Sequence, residues 1–346
     1  MVRVGRVIRE AVSMKKVFAG MLTLTLILSV LAGCAAAPNG THAASSEPTV
    51  ALVVGGSFGD RAFFDSAKAG CDRLMAEGIQ VETTECKNEN HIQQIYNAAE
   101  KSDVVVLVGW ELYDVETVAP EYPDTRFIWI DNETSAPVAN VLNITYAQNE
   151  GSFLAGYIAA KVSQTGVIGA MAGKDQTVIN DFLVGYQQGA RYADPEIAVE
   201  VIYSNNYDDP AIGKNCALEL HEKGADVVFQ IASKCGSGVF DAAKEKGFYA
   251  IGVDSDQKHI APEVIICSMC KGVGDSIYDA VKQYVEKGDD CGLWGTTWVA
   301  DMATGYVGIG YGEEDSVQQI HDEIKQEVEI LAKQIVDGEI IVETTR

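Results

Sequence analysis

The segment that decides the fold class runs from residue 50 to residue 64: Val50-Ala-Leu-Val-Val54-Gly55-Gly56-Ser57-Phe58-Gly59-Asp60-Arg61-Ala62-Phe63-Phe64. Its first five residues predict a buried strand, and its glycines predict a tight turn. A helix is predicted after the turn, because Phe63, Ala67, Cys71 and Leu74 repeat at helical spacing. A buried strand that turns directly into a helix is typical of parallel α/β sheets.

The turn itself is a poor match to nucleotide-phosphate sites. It lacks the G-x-G-x-x-G spacing, and no Gly-Lys-Ser/Thr sequence follows it. Asp60 and Asp65 would also repel a phosphate at the helix N-terminus, whose dipole favours anions. The turn therefore favours a neutral ligand that carries hydrogen-bond donors.

Further along the chain, short β-branched runs alternate with helical patterns. Nine more strands are predicted at 80–84, 104–108, 127–130, 141–145, 167–170, 199–203, 227–231, 249–253 and 264–267. Ten strands exceed one comfortable sheet, and a Gly/Ala-rich helix at 150–160 falls halfway, where its small residues permit close helix packing. We therefore predict two similar α/β lobes, at 49–150 and 151–262, each completed by part of the segment that follows 262.

Near the end of the sequence, apolar residues again repeat at helical spacing. They predict one helical face formed by Val317, Ile320, Ile324, Val328, Leu331 and Ile335.

Length and charge exclude several classes of protein. The chain has 346 residues, which suggests about two domains, and its 26 basic against 50 acidic residues give a net charge of −24. Such acidity disfavours a nucleic-acid-binding surface. With 47% apolar and 22% charged residues, the chain resembles neither a disordered protein nor a polytopic membrane protein.

The N-terminal region has the pattern of an export signal. An uncharged apolar run at 17–32 follows Lys15-Lys16 and ends in Leu31-Ala32-Gly33-Cys34. The run is shorter than the roughly 20 residues that span a bilayer as a helix. Leu-Ala-Gly-Cys resembles the lipobox of bacterial lipoproteins, which implies a signal peptide at 1–33, an acylated Cys34 and a flexible tether at 34–48. The alternative is an ordinary secretory signal with an incidental cysteine.

The other seven cysteines, at positions 71, 86, 216, 235, 267, 270 and 291, would meet an oxidising compartment after export. Because seven is odd, at least one stays unpaired within the chain. Cys267-Ser-Met-Cys270 has zinc or redox spacing, but no second Cys or His pair completes a zinc site. We predict buried thiols at a strand end and no metal site.

Candidate ligand-binding residues follow the predicted strands, because ligands of open parallel sheets bind beyond the carboxyl ends of the strands. Trp110 and Asp131 follow strands of the first lobe, and Phe182, Asp254 and Lys271 take similar places in the second. Asp131 could instead cap a turn. Carboxylates accept hydrogen bonds from hydroxyl groups, and aromatic faces stack on flat rings. The set therefore favours a polyhydroxylated or base-bearing small molecule.

Several motifs together resemble the basic membrane protein family, the substrate-binding lipoproteins of ABC importers that include purine-nucleoside receptors. The similarity covers nearly all of 48–343. It is carried by Asp60-Arg-Ala-Phe-Phe-Asp65, Asn140-Val141, Tyr146, Glu150-Gly-Ser-Phe-Leu-Ala-Gly156, Gly252-Val-Asp-Ser-Asp-Gln257 and Ser268-Met-Cys-Lys271.

The resemblance implies an α/β type I periplasmic-binding-protein fold: two Rossmann-like lobes with parallel sheets and a ligand cleft between them. It implies that Phe63 and Phe182 stack on the base, that Asp131 reads its edge, and that Asp254 and Lys271 bind the ribose. Asp60 would line the loop of the first lobe, and Trp110 is added from its place after a strand.

Two departures from the family pattern bear on specificity. Phe64 stands where the family has Asn, which replaces a polar ligand contact with a ring. Ala232-Ser-Lys234-Cys-Gly236 stands where the family has Ala-Gly-Gly-Thr-Gly, which adds a cation. Each departure could move specificity away from ordinary purine nucleosides.

The resulting function hypothesis is a monomeric, lipid-anchored receptor on the extracytoplasmic face of the cell membrane. It would capture a small molecule, with a nucleoside favoured, and deliver it to an ABC permease, without enzymatic activity, cofactor or nucleic acid. One alternative is a receptor for a sugar or other small molecule that feeds a signalling partner. Another is a secreted nucleoside hydrolase, although none of the five histidines flanks a Ser or Cys nucleophile motif.

Overall fold

The computed structural model describes residues 48–87 and 90–346. The predicted signal peptide, Cys34 and all of the predicted tether except its last residue lie outside the described residues. No helix in the described part of the chain is long and apolar enough to cross a membrane.

Twelve strands are present in the described ranges. They are β1 (Val50–Val54), β2 (Val81–Glu85), β3 (Val104–Val108), β4 (Arg126–Ile130), β5 (Val141–Tyr146), β6 (Val167–Ala172), β7 (Ala198–Tyr203), β8 (Val227–Ile231), β9 (Tyr249–Asp254), β10 (Ile265–Lys271), β11 (Thr296–Ala300) and β12 (Val307–Gly310).

Helices connect most of these strands. They are α1 (Phe63–Ala76), α2 (His91–Ala99), α3 (Val115–Val118), α4 (Gln148–Val162), α5 (Thr177–Ala193), α6 (Pro210–Glu222), α7 (Ser237–Lys246), α8 (Val273–Lys287) and α9 (Asp322–Val336). Because a helix lies between most successive strands, the parallel arrangement follows from the order of elements.

The strands form two six-stranded sheets. The first has the order β11-β5-β4-β3-β1-β2, and the second has the order β12-β10-β9-β8-β6-β7. All pairs in the first sheet are parallel. In the second sheet, only the edge pair β10–β12 is antiparallel. Every residue of β1, β3 and β8 is buried, as expected for strands covered on both faces.

All ten predicted strands are present, so the predicted α/β class is confirmed. β10 continues to Lys271, beyond the predicted end at residue 267. β11 and β12 were not predicted, because β11 is largely exposed at a sheet edge and β12 has only four residues, with glycine at two of them. The first sheet thus takes its edge strand β11 from far along the chain. The lobe boundaries at 49–150 and 151–262 stay predictions.

The predicted helical face near the end of the sequence is only partly correct. α9 begins at Asp322, after an extended residue, His321, so Val317 and Ile320 precede the helix. Val317 is exposed, whereas Ile320 is buried. Asp322 and Glu323 in the first turn are favourable to the helix dipole, which explains why the helix starts there.

Close packing of α4 against α5 holds the crossing between the two sheets, since α4 follows β5 of the first sheet and precedes β6 of the second. Three glycines allow the backbones to touch. An ideal Cβ on Gly185 would lie 2.1 Å from the carbonyl oxygen of Asn149, one on Gly156 would lie 2.0 Å from that of Tyr186, and one on Gly189 would lie 1.8 Å from that of Phe153. The predicted close approach through small residues is confirmed.

The variant Gly189→Ala is expected to lower the free energy of unfolding by about 3 kcal/mol or more, because the added methyl overlaps a backbone carbonyl that cannot rotate away. Urea unfolding measures the loss. Gly308→Ala is the matched control, since nothing lies within 4 Å of its Cβ position and its φ is not positive. Equal midpoints for both variants would contradict the backbone-contact explanation.

Cys267 and Cys270 lie in β10 as free thiols, Cys267 buried and Cys270 half-buried. Burial raises the pKa of the Cys270 thiol to about 12 and that of Cys267 further still. Both thiols are therefore protonated and poor nucleophiles at neutral pH.

Candidate ligand-binding site

A cavity of about 820 Å³ lies between the two sheets, at the carboxyl ends of their strands. This volume falls in the range of small-molecule sites. The structure brings seven of the eight sequence-predicted ligand residues to its wall. They are Phe63, Phe64, Trp110, Asp131, Phe182, Asp254 and Lys271.

Backbone geometry at two strand ends directs the key carboxylates. Asp131 follows β4 with φ of 66°, and Asp254 ends β9 with φ of 64°. Non-glycine residues rarely adopt this left-handed conformation, and it occurs often where a functional side chain must be re-aimed. The chain thus turns at the end of each strand and presents a carboxylate to the cavity from each sheet.

Lys271 joins these two carboxylates into a buried cluster. Its Nζ lies 2.7 Å from Asp131 Oδ2 and 3.6 Å from Asp254 Oδ1, and its side chain is 2% exposed. Asp131 belongs to the first sheet, whereas Lys271 and Asp254 end neighbouring strands of the second. The Lys271–Asp131 ion pair therefore connects the two halves of the protein across the cavity.

Three aromatic rings surround the Lys271 ammonium. Its Nζ lies 4.9 Å from the ring centre of Phe63, 5.2 Å from that of Tyr146 and 5.1 Å from that of Phe182. These rings exclude water and add cation–π attraction. The ammonium is thus held in one place by both charge and packing.

Asp254 has spare hydrogen-bonding capacity. Its Oδ1 is buried and has no hydrogen-bond partner in the described part of the chain. Burial raises the pKa of Asp254 from 3.8 to about 6, against the opposing effect of Lys271. A buried carboxylate oxygen without a partner is energetically unfavourable, so this atom is well suited to accept a hydrogen bond from a ligand.

The two predicted stacking residues come from opposite sides. Phe63 begins α1 beside the first sheet, and Phe182 lies in α5 beside the second. Trp110 is 44% exposed at the wall, with the Lys174 Nζ 5.9 Å from its ring centre. The cavity therefore has an aromatic inner part and a more open part near Trp110.

Asp60 is the predicted residue that the structure does not bring to the cavity wall. Its buried carboxylate accepts hydrogen bonds from the backbone N–H groups of Ala62, Phe64 and Asp65 at the start of α1. It also accepts one from Ser233 Oγ at 3.0 Å, on the side of the second sheet. Burial raises the pKa of Asp60. The residue thus organises the loop that carries Phe63.

Other lining residues were not chosen from the sequence. They include Lys87, His91, Glu111, Lys174, Asn206 and Tyr207. Lys234, in the segment that differs from the family pattern, also lines the cavity. Lys174 and Tyr207 follow β6 and β7, so a stricter use of the strand-end rule would have found them. Glu111 lies on a short 3₁₀ turn, and burial raises its pKa.

The fold and cavity define a class: two-lobed proteins of the type I periplasmic-binding-protein fold, which enclose a ligand between parallel sheets. A solute-binding protein of an ABC transporter system from Aeropyrum pernix has this fold, with a TM-score of 0.76, 26% identity and coverage of 86% of this chain and 94% of that one. A solute-binding protein from Conexibacter woesei shares the fold, with a TM-score of 0.70, 22% identity and coverage of 86% and 99%.

The chain belongs to the PnrA-like family of ABC transporter substrate-binding proteins, whose model matches residues 47–346. Among its relatives is basic membrane protein A2 of Borrelia garinii subsp. bavariensis, 31% identical over 86% of this chain and 89% of that protein. The predicted family and fold are confirmed. Members of the family are substrate-binding proteins of ABC transporters and not enzymes, so a solute-binding role with a permease as partner follows.

Proposed function

We propose that this protein is a nucleoside receptor of an ABC importer, anchored to the extracytoplasmic face of the membrane through an acylated Cys34. The family supports the transport role. The nucleoside is supported by the chemistry of the cavity, which offers aromatic rings to a base and carboxylates to hydroxyl groups. The lipid anchor is supported by the residues at 31–34.

The observation that carries this proposal is the Oδ1 of Asp254, which accepts no hydrogen bond from the described residues. Asp254 lies at the cavity wall, next to an ammonium that can donate to the same ligand. A sugar hydroxyl can donate to the carboxylate and accept from Lys271, which matches both groups at once. A purely apolar ligand would leave both unsatisfied.

Ligand capture requires no chemical step in this proposal. The ligand contacts residues of both sheets, so it favours the arrangement in which the lobes close around it. Besides the Lys271–Asp131 ion pair, two hydrogen bonds join the lobes beside the cavity. Ser233 Oγ donates to Asp60, and Gln257 Nε2 donates to the carbonyl oxygen of Arg61 at 3.0 Å. The closed form is then the one that docks on the permease.

Identification of the ligand is the first experiment. Small molecules released from the denatured, purified protein are identified by mass spectrometry, and inosine, guanosine, uridine, ribose and glucose are titrated by calorimetry. We expect one nucleoside to bind per chain with Kd between about 1 nM and 1 μM. Binding of sugars alone would favour the sugar-receptor alternative. Free base released from inosine would favour the hydrolase.

Phe182→Leu is expected to weaken nucleoside binding by about 10- to 100-fold, because leucine keeps the apolar volume but loses the flat face for the base. Calorimetry measures the change. Tyr192→Leu on the same helix is the control, since Tyr192 is exposed and is not among the residues that line the cavity. Equal nucleoside affinity in wild type and Phe182→Leu would reject stacking on this residue.

A further inference from the structure

Residues 341–346 return to the cavity side of the molecule and are held there by side chains of the α4–α5 pair. Asn149 Nδ2 donates to the carbonyl oxygens of Val342 and Glu343. Gln188 Nε2 donates to the carbonyl of Ile341, and Gln188 Oε1 accepts from the N–H of Glu343 at 2.7 Å. We call this segment the strap.

The strap also binds Asp181, the buried residue next to Phe182. The Asp181 Oδ1 accepts hydrogen bonds from Thr344 Oγ1 at 2.7 Å and from the N–H of Thr345 at 2.9 Å. Its Oδ2 accepts from Gln148 Nε2 at 2.7 Å. This end of the strap is therefore attached to α5, on the side of the second sheet.

Arg346 connects the strap to the first sheet. Its Nη2 lies 3.2 Å from Asp131 Oδ1 and 3.3 Å from the carbonyl oxygen of the same residue. Lys271 occupies the other carboxylate oxygen, Oδ2, at 2.7 Å. Asp131 is thus held between two cations, one at each oxygen, and the strap joins Asp181 to Asp131 across the two sheets.

The charge of the cluster explains why a second cation is needed. Asp131, Asp254 and Lys271 together carry two negative charges and one positive charge, and all three are nearly buried. An uncompensated buried charge is strongly unfavourable. Among the described residues, the ion pairs of these three groups involve one further cation, Arg346, whose side chain is 26% exposed.

We infer that Arg346 is a positioning residue of the ligand site: it orients Asp131 and supplies the charge that makes the Asp131–Lys271–Asp254 cluster neutral. Arg346 is not among the residues that line the cavity, so it acts on a ligand through Asp131. The expected effect of Arg346 on ligand affinity rests on the proposed binding function. Its effect on the charge of the cluster can be measured without any ligand.

The first test follows the ionisation of Asp254 in the ligand-free full chain. Lys271, Asp131 and Asp60 act directly on Asp254, and the buried Tyr146 hydroxyl lies within electrostatic reach of it. Arg346 acts on it from the far side of Asp131, with which it is paired. Loss of the Arg346 charge leaves the cluster negative, so Arg346→Gln should raise the Asp254 titration midpoint above its wild-type value of about 6. Carbon-13 NMR of labelled aspartate carboxyls measures it, and Asp254→Asn assigns the signal.

The second test measures inosine affinity by calorimetry at pH 7.5. Arg346→Gln should weaken binding roughly tenfold, and Arg346→Lys should recover most of the affinity because it restores the charge. Arg191→Gln, which removes an exposed positive charge from α5, should leave the affinity unchanged. In an Asp131→Asn background, Arg346→Gln should have no further effect, since it acts through that carboxylate.

The two tests separate the possible failures. An unchanged Asp254 midpoint in Arg346→Gln would overturn the positioning role, whatever the affinity. Suppose instead that Arg346→Gln shifts the Asp254 midpoint, but the wild-type protein binds no nucleoside. This result would support the charge role of Arg346 and reject the proposed function. Equal losses of affinity in the Gln and Lys variants would overturn the charge argument.

Discussion

Replacing Lys271 with methionine is expected to lower the free energy of unfolding by about 3 to 5 kcal/mol and to weaken nucleoside binding more than roughly 100-fold. The reason is the burial of its partners. Lys271 is 2% exposed and pairs with two carboxylates that are themselves nearly buried. Methionine keeps much of the volume among the three rings, but it leaves Asp131 and Asp254 without this cation.

Urea unfolding and calorimetry measure these two effects separately. Lys282→Met is the matched control, because Lys282 pairs with Glu77 at the surface, where side-chain exposures are 28% and 42%. Exposed ion pairs contribute about 1 kcal/mol or less. If both methionine variants unfolded at the same urea concentration, the Lys271 cluster would have no special contribution to stability.

Asp254→Asn is expected to act in opposite directions on stability and on binding. Burial raises the pKa of Asp254 from 3.8 to about 6, so its folded form prefers the neutral state. At pH 8 the ionised group costs about 3 kcal/mol relative to a neutral one. Asparagine is neutral at every pH, and we therefore expect the free energy of unfolding of the ligand-free protein to rise by up to that amount.

The pH dependence of this gain has a definite sign. Well below pH 3.8 the wild-type carboxyl is protonated in both states, so the two proteins should be equally stable, and at pH 4 the gain should still be small. Between pH 3.8 and about 6 the unfolded wild type is ionised while its folded form keeps the proton, so the wild type loses stability, and the gain of the variant reaches its full size above about 6. Urea unfolding at pH 4, 6 and 8 measures it.

The same variant should bind nucleoside roughly 30-fold more weakly, because an amide oxygen is a poorer acceptor for a hydroxyl than a carboxylate. Asp131→Asn is the matched control for stability. Its carboxylate is paired with Lys271 and Arg346, so its loss should destabilise the protein. An Asp254→Asn protein that is less stable than wild type at pH 8 would argue that Asp254 is a structural residue.

Asp254→Asn is thus expected to raise stability and to weaken ligand binding, which is a common conflict between stability and function. The buried Asp254 Oδ1 accepts no hydrogen bond from the described residues, which is unfavourable to the stability of the ligand-free protein. A ligand hydroxyl would remove that penalty, so the unfavourable energy of the ligand-free carboxylate is recovered as binding affinity. A site with every polar atom already satisfied would have less to gain from a ligand.

Much of the candidate site follows from local sequence. Trp110, Asp131, Asp254 and Lys271 all lie at or just after strand ends, and the carboxyl ends of parallel strands meet at one edge of a sheet. Lys174 and Tyr207 obey the same rule, since they follow β6 and β7. Lys234, which differs from the family pattern, also lies at the cavity wall.

The contacts of Asp60 and Arg346 could not be predicted from neighbouring residues. Asp60 shares its loop with Phe63, yet it turns toward backbone N–H groups of α1 and Ser233, and it does not line the cavity. Arg346 lies 215 residues from Asp131 along the chain. No periodicity or spacing relates such distant positions, because their contact depends on how α4, α5 and the strap pack.

The sequence by itself determined the α/β class, the ten main strands, the family and seven of the residues that line the cavity. It could do so because strands, turns and strand-end side chains depend on neighbouring residues. Only the tertiary structure decided which charges meet. Lys271 lies against Asp131 across the sheets and near Asp254, and Arg346 binds the opposite side of Asp131. Burial and distance set the energies of these groups, and both arise only when the whole chain has folded.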